Sequence, residues 1–122
     1  MAENAGRDTQ HPFEVAIDDV DADPIEVSVR GELDLVSAPS LGEALDKALA
    51  KGPRSIVVRL ADVSFMDSSG LRVLVRCSND VHAAGGSFQI LGMSAAVRRV
   101  LEVTGLIEQL SASRTGDEVG QG

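Results

Sequence analysis

The 122-residue chain contains one cysteine, no tryptophan, no tyrosine and three phenylalanines. A lone Cys77 excludes an internal disulfide, and with two well-separated histidines it offers no zinc-ligand spacing. No metal or other cofactor is therefore expected. The scarcity of aromatic residues argues against stacking platforms for single-stranded nucleic acid. Basic residues are also few, 11 against 19 acidic ones for a formal charge of -8, so the chain lacks the electrostatic footprint of a nucleic-acid or anionic-membrane binder. No apolar run approaches the roughly 18 residues of a membrane span. No positively charged leader precedes an apolar stretch near the N-terminus, so a cytoplasmic location is expected. The length suits one domain, and a hydrophobic content of 43% is enough for one core.

Two polar stretches, residues 1–11 and 111–122, lack apolar periodicity and are expected to be flexible tails around a domain spanning 12–110. Within that domain the period alternates. Phe13, Val15 and Ile17 alternate with polar or small residues, DDVDADP supplies a turn, and Ile25, Val27 and Val29 alternate again, which predicts a hairpin. In SAPSLGEALDKALAKG, Leu41, Ala44, Leu45, Ala48 and Leu49 share one helical face, with Ser37 as the expected N-cap and Gly52-Pro53 as the stop. SIVVRL, residues 55–60, is an apolar β-branched run expected as a central strand covered on both faces.

Beyond it, Leu71, Leu74, Val75, Ser78 and Val81 recur at helical spacing until Ala83-Ala84-Gly85-Gly86. SFQIL then reads as a strand broken by Gly92. SAAVRRVLEVTG places Val97, Val100, Leu101 and Thr104 on one helical face, Gly105 stops it, and LIEQL packs as a short extension. The sum is an α/β domain with a largely parallel sheet, in which partners meet loops at the carboxyl ends of the strands. GELD at 31–34 and DSSG at 67–70 lie at two such ends.

Ser68 and Ser69 stand between a strand and a helix, where a nucleophile elbow would place its serine. The elbow requires a glycine where Met66 stands, and a base is missing. His82, on the same predicted helix, lies roughly 21 Å along the axis from Ser68. His11 falls in a tail. An acyl-transfer enzyme is thus excluded for want of a base. The acidic run Asp18, Asp19, Asp21 and Asp23 lacks the EF-hand glycine and terminal glutamate and reads as a solvated turn. No phosphate-binding P-loop is present, and Arg98 with Arg99 leaves two readings, contact with an anion and, more often for such a pair, a solvated helix face. Two readings of DSSG stay open: Asp67 or Ser68 as a helix N-cap, and one serine as a phosphorylation site at a helix start that accommodates negative charge.

GELDL at 31–35, SIVVRLADVSFMDSSGLRVLV at 55–75 and GGSFQILGMSAAVRRVLEVTGL at 85–106 occur in one order, and together they resemble a STAS domain of the bacterial anti-sigma factor antagonist type. The resemblance covers roughly residues 13–110 and implies a single STAS-like α/β domain, with a mixed, largely parallel sheet packed by helices. It further implies that the protein is a switch and not an enzyme, with Ser68 the phosphorylated residue. The unphosphorylated form would bind an anti-sigma factor that is also a serine kinase of the histidine-kinase-like ATPase class. Binding frees a sigma factor for transcription, phosphorylation ends it, and a metal-dependent serine phosphatase restores it. Asp34, Asp67, Ser69, Gly70 and Arg72 would belong to the partner-binding surface, while Phe65 and Met66 would anchor the loop in the core. Arg72 stands where small residues are common in such proteins. Four residues beyond Ser68, it is expected to pair with the phosphate. The alternative is a STAS scaffold without a switch, in a stress-signalling assembly or as a lipid-transporter subunit.

Overall fold

The computed structural model describes residues 13–19, 21–50, 52 and 55–111. Among the described residues four strands and four helices follow in the order β1 (Glu14–Ile17), β2 (Ile25–Leu33), α1 (Ala38–Ala50), β3 (Ser55–Met66), α2 (Ser68–Ala83), β4 (Ser87–Met93), α3 (Ala95–Thr104) and α4 (Ile107–Ser111). The expected tails, and Pro53 as a helix stop, lie outside the described residues, apart from Ser111 at the end of α4.

The sheet order is β1-β2-β3-β4. β1 and β2 form the expected antiparallel hairpin, with Val15 opposite Val29 and Ile17 opposite Val27. β2 and β3 run parallel with Val27 opposite Val58, and β3 and β4 run parallel with Val58 opposite Ile90. The run at 55–60 is therefore central, and Ile56, Val57 and Val58 are all buried, as a strand covered on both faces requires. Along β2 the inward set Ile25, Val27, Val29 and Leu33 is buried while Ser28 and Arg30 are exposed. The same core takes Leu41 and Leu45 from α1, Leu74 and Val81 from α2, Val97 and Leu101 from α3, and Leu110 from α4.

Two strands outrun the sequence expectation. β3 continues from Leu60 to Met66 because its pairing with β2 persists across two irregularities in register, bringing Glu32 opposite Phe65 and Leu33 opposite Met66. Only Val63 and Met66 are buried in this half, so its apolar content is too thin to mark a strand by composition. β4 does not stop at Gly92. That glycine adopts φ 76° inside the strand, beside a register shift between Arg59 and Leu60, and Met93 still pairs with Leu60. The consequence for function is positional: the long β3 carries residues 67–70 out beyond the end of β2, alongside the loop that follows Leu33.

Candidate functional site

The site is built where β2 and β3 end together. In the loop after β2, one carboxylate oxygen of Asp34 accepts from the backbone N–H groups of Val36, at 3.0 Å, and Ser37, at 3.1 Å. The Ser37 hydroxyl accepts from the Asp34 N–H at 2.9 Å and donates to the Glu32 carbonyl at 2.6 Å. Ser37 thus precedes α1, as expected of an N-cap residue, but its side chain ties the loop backward to β2 rather than capping the helix. Asp34, expected on the partner surface, is half-buried and organises this turn. Leu35 and Val36, at the tip of the turn, are 74% and 86% exposed.

The second strand of the site is stitched to the first by a bond from the Asp67 N–H to the Leu33 carbonyl, 3.2 Å. Asp67 has extended backbone and is the N-cap of α2, its side chain accepting from the Ser69 N–H at 2.8 Å. The first turn presses directly on β2. A Cβ added at Gly70 would stand 2.5 Å from Leu33 Cγ and 3.1 Å from the Leu33 carbonyl oxygen, so only glycine permits this approach. Because Asp67 performs the capping, Ser68 is left without that task. Ser68 is exposed and its hydroxyl makes no hydrogen bond with a described residue, whereas Ser69 is half-buried and Gly70 is buried.

Ser68 stands on a ridge between two apolar-walled clefts. One, of about 490 Å³, is bounded by Ser68, Leu71, Arg72, Val75, Arg76 and Leu106, and reaches Asn79 and Asp80. The other, of about 370 Å³, is bounded by Asp67, Ser68, Leu71, Arg99, Val100 and Val103, and reaches Thr104. Neither cleft includes Ser69. Arg72 is exposed, as the helical spacing implies, and neither it nor Arg99 forms an ion pair with a described residue.

One expectation about these side chains needs correction. Phe65 is 46% exposed and does not anchor the loop, because in an extended strand its neighbour Met66, 3% exposed, takes the inward direction. Arg98 and Arg99 are both exposed, as a solvated helix face requires, and Arg99 also lines a cleft beside Ser68. Sequence reasoning also missed Val100, Val103 and Leu106 as walls. The signal available was Val103, apolar yet outside the repeating core face of α3, and it is 80% exposed.

Among the described residues no histidine stands beside Ser68. His82 lies in the last turn of α2, at the far end from Ser68, and His11 is outside the described residues. Among the described residues no group of three His, Cys, Asp or Glu side chains is placed to hold a metal ion. Burial, with Asp80 and Asp46 nearby, pushes the Cys77 thiol up to about 12, which makes it an inert core group. What the ridge offers is one free hydroxyl on a mostly apolar, contoured surface.

Known proteins share this fold. Residues 16–121 match the family model of the STAS domain. The anti-sigma-B factor antagonist of Staphylococcus aureus is 38% identical over 94 residues, covering 77% of this chain and 86% of that protein. The solved structure of an anti-sigma factor antagonist from Mycobacterium paratuberculosis aligns with a TM-score of 0.71 at 31% identity, covering 80% of this chain and 82% of that one. The Bacillus cell fate determinant SpoIIAA in its phosphorylated form aligns with a TM-score of 0.60 at 25% identity, covering 87% and 94%. Sequence match, shared fold and the two-strand ridge agree, and the chain belongs to the STAS domain family as a member of its anti-sigma factor antagonist group.

Proposed function

We propose that this protein is a cytoplasmic regulator of transcription that works by partner switching at Ser68. Its unphosphorylated form binds an anti-sigma factor that is also a serine kinase of the histidine-kinase-like ATPase class, and so frees a sigma factor. In the switching step the Ser68 hydroxyl oxygen bonds to the γ-phosphorus of ATP as the bond to ADP breaks, and the hydroxyl proton is lost. The phosphorylated form lets the kinase go, and a serine phosphatase removes the phosphate by hydrolysis. Asp34, Asp67, Ser69, Gly70 and Arg72 shape the contact surface around the hydroxyl. The protein itself is a regulatory binding protein and not an enzyme, in keeping with the antagonists it resembles.

One observation carries this reading: Asp67 caps α2, which leaves the Ser68 hydroxyl exposed and unbonded on a ridge. A phosphate there adds about 1.5 to 2 negative charges to a surface where Asp67 already stands, without breaking any bond of the fold. A partner matched to the neutral hydroxyl is then repelled. A structural relative, the Bacillus cell fate determinant SpoIIAA, has been solved in a phosphorylated form, which supports control by phosphorylation.

The test incubates the purified protein with ATP and candidate kinases of this class from its own organism, and locates phosphate by intact-mass and fragment mass spectrometry. The expected result is one phosphate on Ser68, none in Ser68→Ala, and loss of kinase binding on modification. If no such kinase binds or modifies the protein, the chain is a STAS scaffold and Asp67 serves the helix alone.

A further inference from the structure

We propose that Arg72 and Arg99 clamp a phosphate on Ser68 from both sides, and that phosphorylation acts largely by withdrawing these two cations from the partner-facing surface. The inference rests on the reading of Ser68 as the phosphorylated residue and says how the modification is felt. Ser68 is shared by both clefts, and each cleft contributes one arginine without an ion-pair partner among the described residues: Arg72 from α2 in the first and Arg99 from α3 in the second. Arg72 follows Ser68 by one helical turn on the same surface. Arg99 belongs to a different element, so arginines from two separate helices line the clefts that share Ser68.

The neighbouring cations are engaged or misplaced. Arg76 lines the first cleft but lies 4.0 Å from both Asp46 and Asp80, and Arg98 lines neither cleft. In a chain of net charge -8, two arginines beside one serine, neither paired with a described residue, form a local exception. Guanidinium groups bind phosphate through paired N–H donors, and two of them balance its charge of about -1.5 to -2. Asp67 and Asp80 also face these clefts and repel the phosphate, so the arginines decide whether the modified site is strained or settled. Before modification, the same guanidinium groups are free to meet carboxylates of a partner. Afterwards they are occupied, and the surface around the ridge loses its positive character.

The test uses the full chain carrying phosphoserine encoded genetically at position 68, so that it depends on no kinase. The phosphate is titrated by phosphorus NMR in wild type, Arg72→Gln and Arg99→Gln, and guanidinium Nε–H signals are followed with and without the phosphate. Both substitutions are at exposed positions and are expected to leave the fold intact. Each is expected to raise the phosphate pKa by about 0.3 to 0.7 unit, as the loss of one exposed ion pair implies. The signals of Arg72 and Arg99 should move on phosphorylation while that of Arg98 stays. An unchanged titration in both variants overturns the clamp, and a response from Arg72 alone overturns its two-sided form. Failure here leaves kinase modification of Ser68 standing, whereas failure of the kinase experiment leaves the phosphate-holding geometry measurable.

Discussion

At the scale of single residues, the DSSG stretch divides its work in a way that four letters do not reveal. Asp67 holds the helix start, Ser68 is presented, Ser69 turns partly inward and Gly70 lets α2 lie on Leu33. The glycine is the least replaceable of the four. Gly70→Ala forces a methyl group to within 2.5 Å of Leu33 Cγ, so Leu33, fully buried, must shift. The expected cost is about 1 to 3 kcal/mol in urea unfolding, the range of an overpacked core site. Because Leu33 also carries the carbonyl that bonds Asp67, the same substitution should displace the ridge and lower any affinity measured for a kinase partner. A substitution without effect on the urea midpoint would show that the first turn of α2 can move away from β2.

At the scale of elements, helix ends and strand ends locate the site. Asp67→Ala removes the only side-chain cap seen at the start of α2 and should cost about 1 kcal/mol, while Asp67→Asn, which can still accept from the Ser69 N–H, should cost much less. Thermal unfolding of the two variants separates the cap from the charge: equal losses would mean that the carboxylate charge, not the hydrogen bond, matters. The helices were legible from their periodic apolar faces, and Ser94 and Gly105 bound α3 as capping chemistry requires, the serine accepting from the Val97 N–H and the glycine at φ 77°. Strand ends were less legible. The second half of β3 buries only Val63 and Met66, and Gly92 reads as a break although it sits in a bulge. In both cases pairing with a neighbouring strand, absent from local composition, extends the element.

At the scale of the whole molecule, the core also determines which groups remain silent. Cys77 is 4% exposed, and its thiol is raised from 9.0 to about 12 by burial first, then by Asp80 and Asp46. Its neutral form is favoured in the folded state, so the stabilising contribution is full below pH 9 and is lost as pH rises from about 9 towards 12. Accordingly, a thiol-reactive disulfide reagent at pH 8 should label Cys77 slowly in the native protein and quickly in urea, and Cys77→Ser should flatten the alkaline decline in stability. Rapid native labelling would contradict the closed packing between α1 and α2.

The order of strands and helices, the central place of residues 55–60, the stop at Gly105 and the position of DSSG at a strand end all followed from the chain alone. They depend on local period, turn chemistry and charge, which each segment carries within itself. The tertiary structure decided which of Asp67 and Ser68 caps α2, that Phe65 points outward, and that Arg99, thirty-one positions from Ser68, shares a cleft with it. Those outcomes depend on how β2, β3 and α3 meet, and distances between segments remote in sequence exist only once the core has packed.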